Sequence, residues 1–498
     1  MSSATTAAPP ARIEPHVMRI AIVVILGAIM SVLDTTIVNV ALDTLAKDLH
    51  SPLDQIQWVA TGYLLSLAAV IPVTGWISNR FGARRVYVAA LLLFTLGSAL
   101  CGLAWSTGSL VAFRVLQGVG GGLLMPVGQM ILVKAAGPRA LPRIMSVIGV
   151  PIVLAPVFGP TLGGLLVEHV GWQSIFLVNV PIGALAVVAA LRLLPRDVAT
   201  EAGKLDATGL ALVGTGVVGI TYGLAETGTT GSLTATAVLL PLLGGLALVT
   251  LFVLRALLIE NPLLNVRLYQ DRAFAAASLT TFALGAALFG AMVLMPLYFQ
   301  QVRGEDAVHT GLLVAPQGIG AMIAMAVSGR LTERIGAGRT AVIGVALTAL
   351  TTIPFTLLTA DTSYGVTSAA MAFRGLGVGL SMMPAMTAAF AVLRPEQINH
   401  ASPQLNTLQR VGGSIGVAVL TVVLQGHVDD LGRAAAAPSS LAGAFGSTYW
   451  WVLGVTAVAL VPAIVLAVVE RRRARDGHAP IEREATPEIR EAAIEAAA

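Results

Sequence analysis

Along the chain, long apolar runs alternate with short clusters of charge. Residues 55–79, 144–167, 169–191, 207–225, 227–254, 273–302, 307–329, 340–360 and 434–469 contain no Asp, Glu, Lys or Arg. Four further runs are broken by a single charge: Asp34 in 20–42, Arg114 in 86–133, Arg374 in 362–393 and Arg410 in 402–428. A helix needs about 20 apolar residues to cross about 30 Å of hydrocarbon. The run 86–133 is long enough for two helices with a turn at Ser106–Ser109. The pattern therefore predicts fourteen helices, near 20–42, 55–77, 86–105, 110–133, 143–167, 173–194, 207–225, 233–257, 273–299, 309–331, 340–360, 364–391, 403–426 and 446–469.

Composition agrees. Of the 498 residues 56% are apolar and 11% charged, with a mean hydropathy of +0.83; an average soluble protein is about 25% charged. So much apolar surface has to face lipid, which excludes a soluble enzyme, a nucleic-acid-binding domain and a disordered scaffold. The lone Cys101 permits no intrachain disulfide.

The sequence pI of about 9.4 has its cause in where the charges lie. With the N-terminus cytoplasmic, 24 of the 30 Lys and Arg residues fall in inner segments, 3 in outer loops and 3 within spans. This asymmetry orients a membrane protein and predicts a multi-pass cell-membrane protein with both termini in the cytoplasm. Residues 1–17 read as a tail rather than a signal peptide.

The chain also repeats itself. Gly75-Trp-Ile-Ser-Asn79-Arg80-Phe-Gly82-Ala-Arg84-Arg85 is echoed 254 residues later by Gly329-Arg-Leu-Thr-Glu333-Arg334-Ile-Gly336-Ala-Gly-Arg339. Ala112-Phe-Arg114 leads to Met125-Pro126, as Ala372-Phe-Arg374 leads to Met383-Pro384. The fold class expected is an all-α integral membrane protein with two six-helix halves. Its parts are a tail (1–17), a first half (18–194), a linker with a two-helix insert (195–270), a second half (271–469) and a second tail (470–498). Paired halves with a site between them are a transporter architecture.

These residues resemble the major facilitator superfamily, specifically its 14-helix drug:proton antiporter branch. Gly75, Arg80, Gly82, Arg84 and Arg85 match the signature loop after helix 2, with Asn79 where an aspartate is usual. Leu33-Asp34-Thr-Thr-Ile-Val-Asn39-Val-Ala41-Leu42 is similar to the branch's helix 1 motif, although Asp43 stands where proline is common. Arg114 with Gln117-Gly118 falls in helix 4, and Gly159-Pro160-Thr-Leu-Gly163-Gly164 resembles the antiporter motif of helix 5. Trp58, Tyr63, Pro72, the stretch Pro296 to Gln301, and Arg410-Val-Gly412-Gly413-Ser-Ile-Gly416 also resemble branch features. The resemblance implies a proton-driven exporter of hydrophobic small molecules, cationic ones included. Export of lipids or of a lipophilic natural product is the rival within transport.

The residues themselves suggest roles. Asp34 is the one carboxylate deep in a predicted span, and an intramembrane charge is a functional candidate by default. It reads either as a proton carrier or as a packing aspartate bonded to Asn39 or a threonine. Arg114 stays charged, and either answers the charge of Asp34 or forms a static pair with it. Pro160 removes a backbone donor, and Gly159, Gly163 and Gly164 permit close helix approach, which suits a seal between the halves. Arg80, Arg84 and Arg85 either hold a helix end or carboxylate of the opposite half or only anchor the topology, while Glu333 is expected to act within its own loop. Trp58, Tyr63, Met125, Phe289, Met292, Tyr298 and Met383 are candidates to line an adaptable substrate cavity. The insert is expected to be peripheral, with Glu226 and Asp206 as a candidate second acidic site. The Gly118–Gly122 run lies inside a span and no Gly-x4-Gly-Lys-Ser/Thr sequence occurs, so ATP is not expected. The histidines are scattered without an H-x3-H spacing, so neither a metal nor catalysis is expected. Protons are the expected coupling ion, with no other cofactor. The expected partners are a hydrophobic substrate and the bilayer, not nucleic acid, and the working unit is expected to be a monomer.

Overall fold

A chain in lipid must satisfy its backbone polar groups internally, and helices do so. The computed structural model describes residues 13–196, 203–432 and 437–475, and they contain no strand. Residues 1–12 with Arg12, the segment with Arg433, and the tail from 476 lie outside the described residues, as do the side chains of Arg139 and Pro160.

The first half comprises α1 (Pro15–Asp48), α2 (Gln55–Phe81), α3 (Ala83–Gly102), α4 (Thr107–Gly137), α5 (138–169) and α6 (Ser174–Leu193). The insert is α7 (Ala207–Thr230) and α8 (Thr236–Leu258). The second half comprises α9 (Arg272–Gln301), α10 (Val308–Ile335), α11 (Ala337–Leu357), α12 (Tyr364–Ala391), α13 (Pro395–Leu431) and α14 (Pro438–Arg475). Among the described residues thirteen of these are long and apolar enough to cross a bilayer. The exception is α5, whose described apolar stretch is Ala140–Gly149; by this measure the predicted fourteen spans are not reached. Several helices outrun the predicted runs. Pro15 begins α1, as suits a residue with no N–H to leave unpaired at a helix start.

The repeat is visible in the backbone. α2 passes to α3 at Gly82 (φ 87°), and α10 passes to α11 at Gly336 (φ 93°). Only a residue without a Cβ takes these angles readily. α2 packs on α4 and α3 on α4 in the first half, as α10 packs on α12 and α11 on α12 in the second. α1 packs along α5, and α9 along α13.

Hydrogen bonds from Asn79, Gln129, Arg143 and Ser146 join the first half to the second toward the end that carries the basic loops. The largest apolar cluster crosses the halves there, bringing Met130 and Met145 together with Met325, Phe390 and Leu405. The insert is less peripheral than expected. Val213 and Val217 of α7 pack with Ala68 and Val73 of α2, and Ile220 and Leu224 pack with Ala418 of α13. α7 therefore covers the seam between the halves, and α8 lies outside it.

Candidate functional site

Arg114 and Gln117 lie one turn apart on α4, a spacing that puts both on one helix face. That face meets Asp34 of α1. Arg114 Nη1 lies 2.6 Å from Asp34 Oδ2 and 2.8 Å from Gln117 Oε1, and its Nε donates to the Val59 carbonyl at 3.0 Å. The guanidinium sits over the Tyr63 ring, 4.1 Å from its centroid. Asp34 Oδ1 accepts from Gln117 Nε2 at 2.9 Å and from Asn179 Nδ2 of α6 at 3.1 Å. Asp34 and Arg114 are each 1% exposed. An unpaired charge at such a depth is prohibitive, and a paired, hydrogen-bonded one is tolerated. Every partner of Asp34 donates, so the arrangement suits the ionised carboxylate. Asn39, one expected partner, does not take part.

The arginine of the repeat's second copy has a different setting. Arg374 of α12 is buried and donates to Gln317 Oε1 at 3.1 Å and weakly to the Ala287 carbonyl at 3.4 Å, with no carboxylate beside it. Asp34 and Arg114 form the one fully buried ion pair among the described residues. No group of three His, Cys, Asp or Glu side chains suited to a metal occurs among them either.

The signature loop meets the opposite half. A Cβ at Gly75 would fall 2.1 Å from the Asn399 carbonyl oxygen of α13. Asn79 Oδ1 accepts from Asn399 Nδ2, so an amide–amide bond stands where the usual aspartate is missing. Arg84 donates to the Leu191 carbonyl at the end of α6, in its own half, while Arg80 and Arg85 are exposed. Glu333 does not stay within its own loop: it pairs with Arg143 of α5 across the halves at 2.7 Å. Beside it Ser146 and Ser328 lie 3.1 Å apart. Deeper in, Gln129 of α4 accepts from Asn406 and Ser402 of α13 at 2.7 and 3.2 Å.

In the antiporter motif, a Cβ at Gly159 would fall 2.0 Å from Thr36 Oγ1, and one at Gly163 would fall 3.2 Å from Ile37, so these glycines seat α5 on α1 of the same half. Gly164 instead faces Val308 of α10, in the other half.

The seven candidate cavity residues do not converge. Trp58 is 45% exposed and stacks on Tyr222 of the insert. Tyr63 belongs to the Asp34 cluster, while Met125 and Met383 are core. Phe289 packs over Gly413, and Met292 is half-buried. Tyr298 is buried and donates to the Thr359 carbonyl at 2.6 Å. None of the seven lines the groove of about 880 Å³ between α1, α5 and α10. Ile25, Ile29, Leu33, Phe158, Leu162 and Met325 form its walls, with Arg143 and Arg330 toward the basic face. Asp206 caps α7 through Gly209 N at 2.8 Å and pairs with Arg255 of α8, and Glu226 accepts from Thr229. Asp206 thus ties the two insert helices together, while the Glu226 contact stays within the end of α7.

Asn179, Gln129, Asn399, Ser402 and Asn406 escaped the sequence reading. For all but Asn399 the signal was available: uncharged polar side chains inside apolar runs, which bind helices to one another in membranes.

Residues 24–417 match the Major Facilitator Superfamily. A multidrug resistance protein B homolog of Mycobacterium tuberculosis is 40% identical over 418 residues, 83% of this chain and 77% of that one. A methylenomycin A resistance protein of Streptomyces coelicolor is 33% identical over 407 residues, 81% of this chain and 85% of its own. The crystal structure of a human organic anion transporter superposes with a TM-score of 0.61 at 16% identity, covering 91% of this chain and 100% of that one; this likeness concerns the fold alone.

Proposed function

The chain belongs to the Major Facilitator Superfamily, and from that premise we propose that it is a proton-coupled exporter of hydrophobic small molecules, a drug:proton antiporter working by alternating access. It is a membrane transporter and not an enzyme, and its drug-resistance relatives support drug efflux. The observation that carries the coupling is Asp34: the one fully buried carboxylate among the described residues, held to Arg114 and within reach of three donors. A group that gains and loses one proton there changes the charge facing an arginine that cannot lose its own.

With the basic face toward the cytoplasm, the halves are closed on the cytoplasmic side. Protonation of Asp34 from outside then weakens its hold on Arg114 and favours release of substrate and return to the inward-facing state. Deprotonation toward the cytoplasm favours loading. One charge moved through 100 mV supplies about 2.3 kcal/mol. At about 1.4 kcal/mol per decade that sustains a gradient of roughly 40- to 50-fold without ATP.

The groove beside Leu33 has the volume of a small-molecule site, which runs from roughly 300 to 1,000 Å³. Its half-exposed wall at Phe158 and Leu162 also suits a lipid or lipophilic natural product, the second reading. The test is efflux of a hydrophobic dye from proteoliposomes under an imposed pH gradient. Efflux should collapse with a protonophore and need no ATP. ATP-driven uptake into inside-out vesicles with the gradient abolished would reject the mechanism.

A further inference from the structure

We infer that Asn179 is the residue that reads the protonation of Asp34, by reversing its side-chain amide when the carboxylate takes up a proton. The inference rests on the proposed coupling role of Asp34 and adds a positioning residue, on α6, that neither the motifs nor the relatives assign.

The reason lies in the hydrogen-bond count. In the state described, Asp34 accepts from Arg114, Gln117 and Asn179, and each of these turns a donor to it. A protonated carboxyl carries an O–H that must donate, and a buried donor without an acceptor is costly. Arg114 offers only donors. Gln117 Oε1 already accepts from Arg114 at 2.8 Å, and reversing that amide would turn its NH2 against the guanidinium. The Val59 carbonyl is taken by Arg114 Nε. The Tyr63 hydroxyl is turned to Ser31, 3.4 Å from both its Oγ and its carbonyl oxygen.

Asn179 differs from all of these. It is 1% exposed, and its Nδ2 donates both to Asp34 Oδ1 and to Ser98 Oγ of α3, each at 3.1 Å. Its Oδ1 is buried with no hydrogen-bond partner. Nothing therefore fixes this amide except the two acceptors facing its nitrogen. Rotating it by half a turn gives the carboxyl O–H an acceptor in Asn179 Oδ1, but turns the NH2 to the buried side where Oδ1 has no partner, so the reversed amide is favoured only while Asp34 holds the proton. Ser98 now donates to the Phe176 carbonyl of α6 at 2.9 Å. After reversal its hydroxyl can turn to the same Oδ1, which releases Phe176 and loosens α3 from α6. One proton on α1 thereby changes contacts on three helices.

The other titratable or charged groups around the cluster are Arg114 of α4, Tyr63 of α2 and Cys101 of α3, which donates weakly to Gln117 Oε1 at 3.6 Å. Arg410 of α13 acts on Tyr63 from the opposite half. None of these is a second carboxylate.

The test is pH-difference infrared spectroscopy of the purified full-length protein in liposomes, with the asparagine side-chain amides carrying 13C. A carboxyl C=O band that Asp34→Asn removes reports proton uptake. The expected result is an isotope-shifted asparagine C=O band appearing with it at the same pH. Asn179→Leu should lose the amide band and move the carboxyl band to the higher frequency of a carboxyl without an acceptor. Asn179→Ser, smaller and still polar, serves if the leucine variant does not fold. A carboxyl band with no asparagine band, or an asparagine band that survives in either variant, would overturn the inference and leave Asp34's role standing. Absence of any carboxyl band sensitive to Asp34→Asn would instead remove the coupling role, and the inference with it.

Discussion

Gln129 of α4 accepts a hydrogen bond from Asn406 of α13, 2.7 Å away, across the seam between the two halves and out of reach of solvent. Ser402 shares the same acceptor. Neither side carries charge, so this latch can part without exposing an unpaired ion. It is nonetheless directional, because opening must hand its groups to water.

Gln129→Leu should unlatch the basic face. It leaves the Asn406 amide without its acceptor across the seam, and a buried group left unsatisfied costs about 1–3 kcal/mol. At about 1.4 kcal/mol per decade, closure should weaken roughly tenfold. Labelling of single cysteines near 79 and 399 should speed up accordingly. The double variant Gln129→Leu/Asn406→Leu should be milder, since both partners go together. Unchanged labelling in the single variant would mean that the latch does not hold the halves closed.

Glycines at the same seam should differ in sensitivity. A Cβ at Gly75 meets the Asn399 carbonyl at 2.1 Å, whereas one at Gly329 meets Arg143 Cα at 3.0 Å. The first contact is with backbone and far inside contact distance, so α2 and α13 must separate. Gly75→Ala should therefore slow transport and open the basic face much more than Gly329→Ala does. Equal effects in accessibility and efflux assays would contradict the close approach.

How much of this was legible in the sequence depends on charge. Asp34 and Arg114 stood out because each is a lone charge in an apolar run, and the two halves stood out because their loops share glycines and arginines. Asn179 and Asn406 carry no charge and break no run, so only proximity in the fold reveals their partners. Glu333 looked local because a salt bridge over 190 positions leaves no trace in spacing. The methionine and aromatic positions were least informative: Met383, Met292 and Trp58 have similar chemistry, yet one is core, one half-buried and one outward-facing.

The groove offers a prediction separable from coupling. Ala326 of α10 lines it and is exposed there. Ala326→Trp should fill part of the 880 Å³ without touching the Asp34 cluster. Efflux of a bulky hydrophobic dye should fall several-fold, with thermal stability close to wild type. Full dye efflux at normal surface levels would place the substrate path elsewhere.

Asp34 gives the decisive prediction, because structure and coupling pull its variants apart. Asp34→Asn preserves the side chain's size and still accepts from Arg114, but leaves that guanidinium buried without a counter-charge. Removing one member of a buried pair costs about 3–5 kcal/mol, so the single variant should melt earlier than wild type. Arg114→Lys keeps the charge, yet a lone ammonium cannot reach Asp34, Gln117 and the Val59 carbonyl together as the planar fork does. It should retain partial transport. The double variant Asp34→Asn/Arg114→Gln removes both charges and should recover much of the lost stability. It should recover no uphill efflux, because no group is left to carry the proton. Melting followed by size-exclusion chromatography separates the first effect, and proton-driven efflux at matched surface expression separates the second. Uphill transport that persists in Asp34→Asn would free Asp34 from the mechanism and turn attention to Glu226 or Asp206. The geometry argues against that outcome, since Asp206 already pairs with Arg255 within the insert and Glu226 lies at the exposed end of α7, its carboxylate accepting from Thr229.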